Sequence, residues 1–109
     1  MRQPSNPDVP ALDELRLLNG LLEHRMRLAI CVLLSKHDAM SFSRLKETLG
    51  ATDGSLGAHL RKLEDSGHLE AERTYVKRRP VTWYRLSADG RLNLKQHLEA
   101  LTRLINQAV

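Results

Sequence analysis

The sequence predicts a single domain that is mainly α-helical and carries one small β-hairpin, an α+β fold. Its 109 residues fit one compact domain. Leucines recur at spacings of three and four along most of the chain, as they do on helices with one apolar face. Only 4% of the residues are aromatic, and the clearest alternation of apolar and polar residues flanks one basic turn, as in a hairpin.

Four helices are expected before the hairpin. The first runs from Ala11 to Leu22, and the second from about His24 to Lys36. The third begins after a cap at Ser41 or Ser43 and stops at Gly50, a residue that adopts left-handed backbone freely. Thr52 then caps a fourth helix, which ends by Gly67. Its predicted buried face is Leu56, Leu60 and Leu63.

The hairpin is expected to have a basic tip, and one last helix follows it. Leu69 and Ala71 alternate with glutamates in the first strand, and Thr82, Tyr84 and Leu86 share one face of the second strand. Trp83 then faces away from the core, where it packs beside Tyr75 or touches a sugar-phosphate backbone. Ser87 caps a helix that extends to about Asn106.

The positive charge is concentrated in one stretch. The formal net charge is +4, and residues 73–85 hold five cationic and no acidic side chains, so the remainder of the chain sums to −1. A charge run of this kind is often only a solvated surface. Its position at the hairpin tip makes a nucleic-acid partner the better interpretation.

Two short helices joined by a tight turn at Gly50 have helix-turn-helix geometry. The segments 41–50 and 53–64, with the Gly-x-Leu-x-x-His-Leu-x-x-Leu pattern beginning at residue 54, resemble the small winged-helix regulators related to the MarR, ArsR and PadR groups. The resemblance continues through Gly67-His68-Leu69, residues 78–82 and residues 84–91, and it covers roughly residues 22–100. It implies a winged-helix fold, DNA binding by helix and wing, and dimers built from terminal helices.

On this basis residues 1–10 are a loose tail and residues 11–109 form one winged-helix domain. The helix-turn-helix covers about 41–67, the wing about 68–86 and the C-terminal helix about 87–107. A recognition helix in the major groove places small and polar side chains against DNA. The expected DNA contacts are Ser43, Thr52, Gly54, Ser55, Ala58, His59, Arg61, Lys62, Lys77, Arg78 and Arg79.

The terminal helices carry more apolar surface than one small core can cover. We therefore expect a homodimer on an inverted repeat, although the last helix could instead fold back on its own domain. The expected interface residues are Leu12, Leu15, Leu18, Leu22, Leu94, Leu98, Leu101 and Ile105.

Other kinds of chemistry find little support in the sequence. Ser43 to Lys46 matches Ser-x-x-Lys but lacks the companion motifs of that enzyme class, so no enzymatic activity is expected. No metal or cofactor is expected, because Cys31 is the sole cysteine and lies in an apolar run, and the histidines His24, His37, His68 and His97 look structural or exposed. We expect a cytoplasmic regulator without membrane contact. The alternative function is a winged helix that binds other proteins and no specific DNA.

Overall fold

The computed structural model describes residues 14–108 as a mostly helical domain with one small sheet. Residues 14–17 are helical, and a short 3-10 helix follows. The helices and strands are then as follows: the 3-10 helix Gly20–Glu23, α1 Arg25–Lys36, β1 Met40–Ser41, α2 Phe42–Leu49, α3 Asp53–Asp65, β2 Leu69–Val76, β3 Arg79–Leu86 and α4 Ala88–Ala108.

The helix-turn-helix forms as the sequence predicts, because local signals fix both of its ends. Ser41 Oγ accepts a hydrogen bond from the backbone N–H of Arg44, and Thr52 Oγ1 accepts one from Ser55, so each helix has a side-chain cap. Gly50 ends α2 with φ 61, in the left-handed region that favours glycine. These signals place α3 directly after a tight turn.

The predicted first helix ends earlier than expected. It should run to Leu22, but the helical residues end at 17 and the chain turns into the 3-10 helix. The cause is Asn19, whose side-chain Oδ1 accepts the backbone N–H of Leu21 and so starts a new helix. Residues 11–13, where this helix was expected to begin, lie outside the described residues, as does the tail predicted at 1–10.

The sheet has three antiparallel strands in the order β1-β3-β2, one more than the hairpin expected from sequence. Strand β1 is only two residues long, too short to show an alternating pattern. Ala71 was expected on the buried face of its strand with Leu69, but it is exposed. Strand β2 lies at the edge of the sheet, and its burial is confined to Leu69 and a half-buried Thr74.

Trp83 packs on the hairpin stem, but not beside Tyr75. Its Nε1 donates to Thr74 Oγ1 at 2.9 Å. The register pairs Glu72 with Trp83 and Tyr75 with Pro80, so Thr74 and Trp83 share one face of the sheet and Tyr75 lies on the other. The register between β2 and β3 therefore excludes the contact between Trp83 and Tyr75 that was expected from sequence.

The core is built almost entirely from aliphatic side chains. The predicted recognition-helix leucines are all buried, and so is Cys31. Two residues expected at a dimer interface, Leu22 and Leu94, also lie in this core with 0% and 3% of their surfaces exposed. Leu22 has no surface left for a partner and Leu94 has almost none, because the 3-10 helix and the first half of α4 close over the same core.

Candidate nucleic-acid interface

The outward face of α3 is small and polar. Gly54, Ala58, Arg61 and Lys62 are all exposed, and they line a shallow hollow of about 450 Å³. The leucines of α3 lie on the opposite side of the helix, in the core. Because little side-chain bulk covers the first turns of this face, the helix backbone can approach another macromolecule closely.

Ser55 and His59 lie on the flank of α3 that faces α1. The His59 ring lies 4.3 Å from the His24 ring between centroids, and its Nδ1 is 3.3 Å from Nη1 of Arg27. Partial desolvation lowers the pKa of His59, and the nearby His24 and Arg27 lower it further. His59 therefore has neighbours within the chain, and its role as a DNA contact stays a prediction.

The two helices of the motif are also joined by an ion pair. Lys46 Nζ lies 2.8 Å from Asp53 Oδ1, across the turn between α2 and α3. Both side chains are substantially exposed, so the pair contributes little to stability. Of the other predicted contacts, Thr52 caps α3, and Ser43 is exposed on α2 in a separate hollow of about 420 Å³ beside Trp83.

The wing ends in a two-residue turn with an unusual backbone. Lys77 and Arg78 have φ values of 52 and 67, both in the left-handed region. A turn of this kind matches the twist of a hairpin but favours asparagine and glycine over long cationic residues. Both side chains are exposed, as is that of Arg79 at the start of β3. The hairpin thus places three adjacent cations at its tip.

A cleft between α3 and the wing adds residues that the sequence analysis did not select. Arg73 of β2 and Tyr84 of β3 line it together with Arg61 and Glu64 of α3, in a volume of about 380 Å³. Burial raises the pKa of Tyr84, Glu64 raises it further and Arg73 lowers it. The sequence pattern could have indicated Arg73 in part, because strand alternation places it opposite Thr82 and on the same face of the sheet as Tyr84.

The terminal segments expose apolar side chains away from α3. Leu15, Leu98 and Ile105 are 52%, 37% and 63% exposed, and Leu18 and Leu101 are half-buried. Leu12 lies outside the described residues. A mainly apolar groove of about 560 Å³ runs beside α4, and Leu94, Leu98 and Thr102 line it together with Ser35 of α1.

The N-terminal segment is tied to α4 by an ion pair. Arg103 Nε lies 2.6 Å from Glu14 Oε2.

Within residues 14–108, no three His, Cys, Asp or Glu side chains are grouped so that they could hold a metal ion. No helix in this part of the chain is long and apolar enough to span a membrane.

Comparison with known proteins agrees with a winged-helix fold. A family model described as winged helix DNA-binding domain matches residues 26–105. The uncharacterized protein MJ0432 of Methanocaldococcus jannaschii is 34% identical over 79 residues, which cover 72% of this chain and 86% of that protein.

Solved structures of regulators share the fold. A transcriptional regulator homologue from Pyrococcus horikoshii has a TM-score of 0.79 and 27% identity, covering 86% of this chain and 95% of its own. A mutant of MarR from E. coli, in complex with operator DNA, has a TM-score of 0.68 and 19% identity, with coverage of 92% and 74%. The ArsR family transcriptional regulator RHA00566 has a TM-score of 0.57 and 19% identity, and 97% of each chain is covered.

Proposed function

Because the chain belongs to the family of winged helix DNA-binding domains, and its structural relatives are transcriptional regulators, we propose that it reads a specific DNA sequence as a homodimer. The observation that carries this proposal is the cleft that α3 shares with the wing. In it, Arg61 of the helix and Arg73 of the hairpin line one volume. A helix in the major groove and a wing on the adjacent backbone use such a paired surface.

In the proposed complex, the outward face of α3 enters the major groove. Gly54 and Ala58 let the helix backbone come close to the base edges, while Ser55 and His59 supply hydrogen-bonding groups on one flank. Lys62 and Arg61 neutralise phosphates on either side. Thr52 and Ser43, at the starts of their helices, are placed for backbone contacts.

The wing holds the flanking DNA. Lys77, Arg78 and Arg79 at its tip contact phosphates or enter the minor groove, and Arg73 in the cleft binds the strand that passes between wing and helix. Each such contact releases condensed counterions, so binding should depend strongly on salt. Glu64 also lines the cleft, and its negative charge would repel a phosphate that came close to it.

The dimer is proposed to form through the terminal segments. Leu15, Leu98 and Ile105 remain exposed on one chain, and the groove beside Leu98 has an apolar lining. A single recognition helix rarely buries enough surface for a tight specific complex. A two-fold pairing through these residues covers the exposed leucines and sets two copies of α3 roughly 34 Å apart on an inverted repeat.

The test combines sequence selection with sedimentation. From a pool of random duplexes we expect the chain to select an inverted repeat, and at micromolar concentration we expect it to sediment at twice 12.4 kDa. Leu98→Asp should give a monomer with weakened binding. The matched control is Leu92→Asp, because Leu92 is 53% exposed on α4 but outside the groove.

Two results would contradict the proposal. Binding without enrichment of any sequence would leave a protein-interaction module or a non-specific binder as the better interpretation. A parent protein that sediments as a monomer while it selects a single half-site would refute the dimer alone.

A further inference from the structure

A buried polar network joins the N-terminal segment to the rest of the domain. Two histidines, His68 and His97, are its centre, with 4% and 1% of their surfaces exposed. Asn19 contacts both of them: its backbone N–H donates to His97 Nδ1 at 2.9 Å, and its side-chain Nδ2 lies 3.2 Å from His68 Nε2. Asn93 of α4 places its own Nδ2 3.3 Å from the same His68 atom.

The orientation of Asn19 is fixed by the start of the 3-10 helix. Its Oδ1 accepts the N–H of Leu21 at 2.9 Å, so its Nδ2 must be the atom that donates to His68. The backbone N–H of Asn19 can only donate. Two donor groups of one residue thus require an unprotonated nitrogen on each of two buried imidazoles.

The tautomer of His68 follows from its other neighbour. The Ser66 hydroxyl lies 3.0 Å from the carbonyl of Lys62 and 3.1 Å from that of Leu63, and it donates to these oxygens. Its oxygen then accepts from Nδ1–H of His68, at 3.1 Å. This arrangement places the proton of His68 on Nδ1 and leaves the lone pair of Nε2 facing the side-chain amide groups of Asn19 and Asn93.

We propose that Asn19, His68 and His97 form an acid-sensitive latch that holds the N-terminal segment on α4 and releases it when His97 is protonated. A proton on His97 Nδ1 would place its N–H against the backbone N–H of Asn19, so protonation of His97 and the closed latch exclude each other. The chemistry is that of imidazole as a switch near neutral pH.

The surroundings favour the neutral form of His97. Burial lowers the pKa of His97, and the charge of Glu23 in the 3-10 helix opposes part of that effect. The hydrogen-bond partners of His68 are the neutral side chains of Asn19, Asn93 and Ser66. His97 binds a proton more readily in the open form, so the latch is closed above the ordinary histidine pKa of about 6.5 and opens as the pH falls below it.

The consequence for function rests on the proposed dimer. The latch residue Asn19 follows shortly after the helical residues 14–17, which carry the exposed Leu15 and the Glu14 that pairs with Arg103. Opening the latch frees this segment from α4. We therefore expect acid to dissociate the dimer and weaken DNA binding while the core and helix-turn-helix stay folded.

The primary test is hydrogen exchange of the Asn19 and Leu21 amides, followed by NMR on the full chain at pH 7.5 and 5.5 and corrected for intrinsic rates. In the parent, protection at these two amides should fall by up to about tenfold per pH unit for each proton bound on opening. Amides in the middle of α1 should keep their protection. Equal protection of Asn19 at both pH values would overturn the proposal.

Variants separate the latch from other titrating groups. His97→Asn keeps an oxygen acceptor near the position of Nδ1 and cannot titrate, so it should retain protection at pH 5.5. His37→Asn removes an exposed histidine and should behave like the parent. If His97→Asn does not fold, the ¹⁵N shifts of the parent histidines decide: Nδ1 of His97 protonated at pH 7.5 would refute the latch.

Sedimentation and DNA binding across the same pH range test the consequence. We expect parent dimer and DNA complex to be lost below about pH 6 and to persist in His97→Asn. Exchange that responds to acid while dimer and affinity do not would refute the regulatory role. A chain that binds no DNA at any pH would refute the proposed function but would leave the exchange result standing.

Discussion

The turn at the wing tip gives a sharp test of why the chain carries two cations there. Lys77 and Arg78 both have positive φ, where non-glycine residues cost about 1 kcal/mol each. Replacing them with Asn and Gly, the pair that this turn favours, should stabilise the domain by about 1–2 kcal/mol. Each kcal/mol raises Tm by roughly 4–8 °C in a domain of this size.

The same double substitution should weaken DNA binding. Removing two phosphate contacts lowers the slope of log affinity against log salt by about 2. Relative to binding at 1 M salt, this is a roughly fortyfold loss of affinity at 0.15 M salt. Thermal unfolding and fluorescence anisotropy at several salt concentrations measure the two effects. A suitable control is Lys36→Gln, which removes an exposed cation outside α3, the wing and the groove beside α4 and should leave the salt slope unchanged.

Opposite changes in stability and affinity would show that the turn keeps strained residues for their charge. A variant with higher Tm and an unchanged salt slope would remove the wing tip from the DNA interface. A lower Tm would refute the argument from backbone strain.

Four further predictions concern single residues. Arg73→Gln should reduce the salt slope of DNA binding by about 1. The control is Arg85→Gln, which should not change the slope, because Arg85 lies on the other face of the hairpin, 3.4 Å from Glu72. Equal effects of the two substitutions would mean that the cleft binds no phosphate. Leu60→Ala should cost about 2–5 kcal/mol of unfolding free energy through a cavity, measured by urea titration. His59→Ala should change preference between operators by about 1–3 kcal/mol with little change in Tm; early melting with unchanged preference would assign it to packing against α1. Burial raises the pKa of Cys31 to about 12, so the native protein should react with a thiol reagent at pH 8 only as fast as it unfolds, and fast labelling would contradict its burial.

Local signals in the sequence determined the helix-turn-helix. The caps at Ser41 and Thr52, the left-handed Gly50 and the leucine spacing of α3 act within a few residues of one another, so they can be read without knowing the rest of the fold. The basic hairpin tip was visible for the same reason. These features were sufficient to predict a helix-turn-helix followed by a wing.

Contacts between distant segments were decided by the tertiary structure. Leu22 was indistinguishable from Leu15 in the leucine pattern, yet one is buried and the other half exposed, because Asn19 ends the helix between them. Arg73 lies in the cleft because of the register between β2 and β3. A register shift of one residue would move its side chain to the other face of the sheet. The sequence does not encode these pairings locally, since each depends on partners brought together by folding.

The contacts of the two buried histidines were also decided by the tertiary structure and not by local sequence. His68 and His97 looked structural from the sequence, but their partners Asn19 and Asn93 are between 25 and 78 residues away along the chain. Gly90 is required because α4 passes so close to the backbone of His68 that a Cβ there would overlap its carbonyl oxygen. Hydrophobic periodicity predicts which face of a helix is buried, but only the packed structure determines which buried polar groups meet and which protonation state they need.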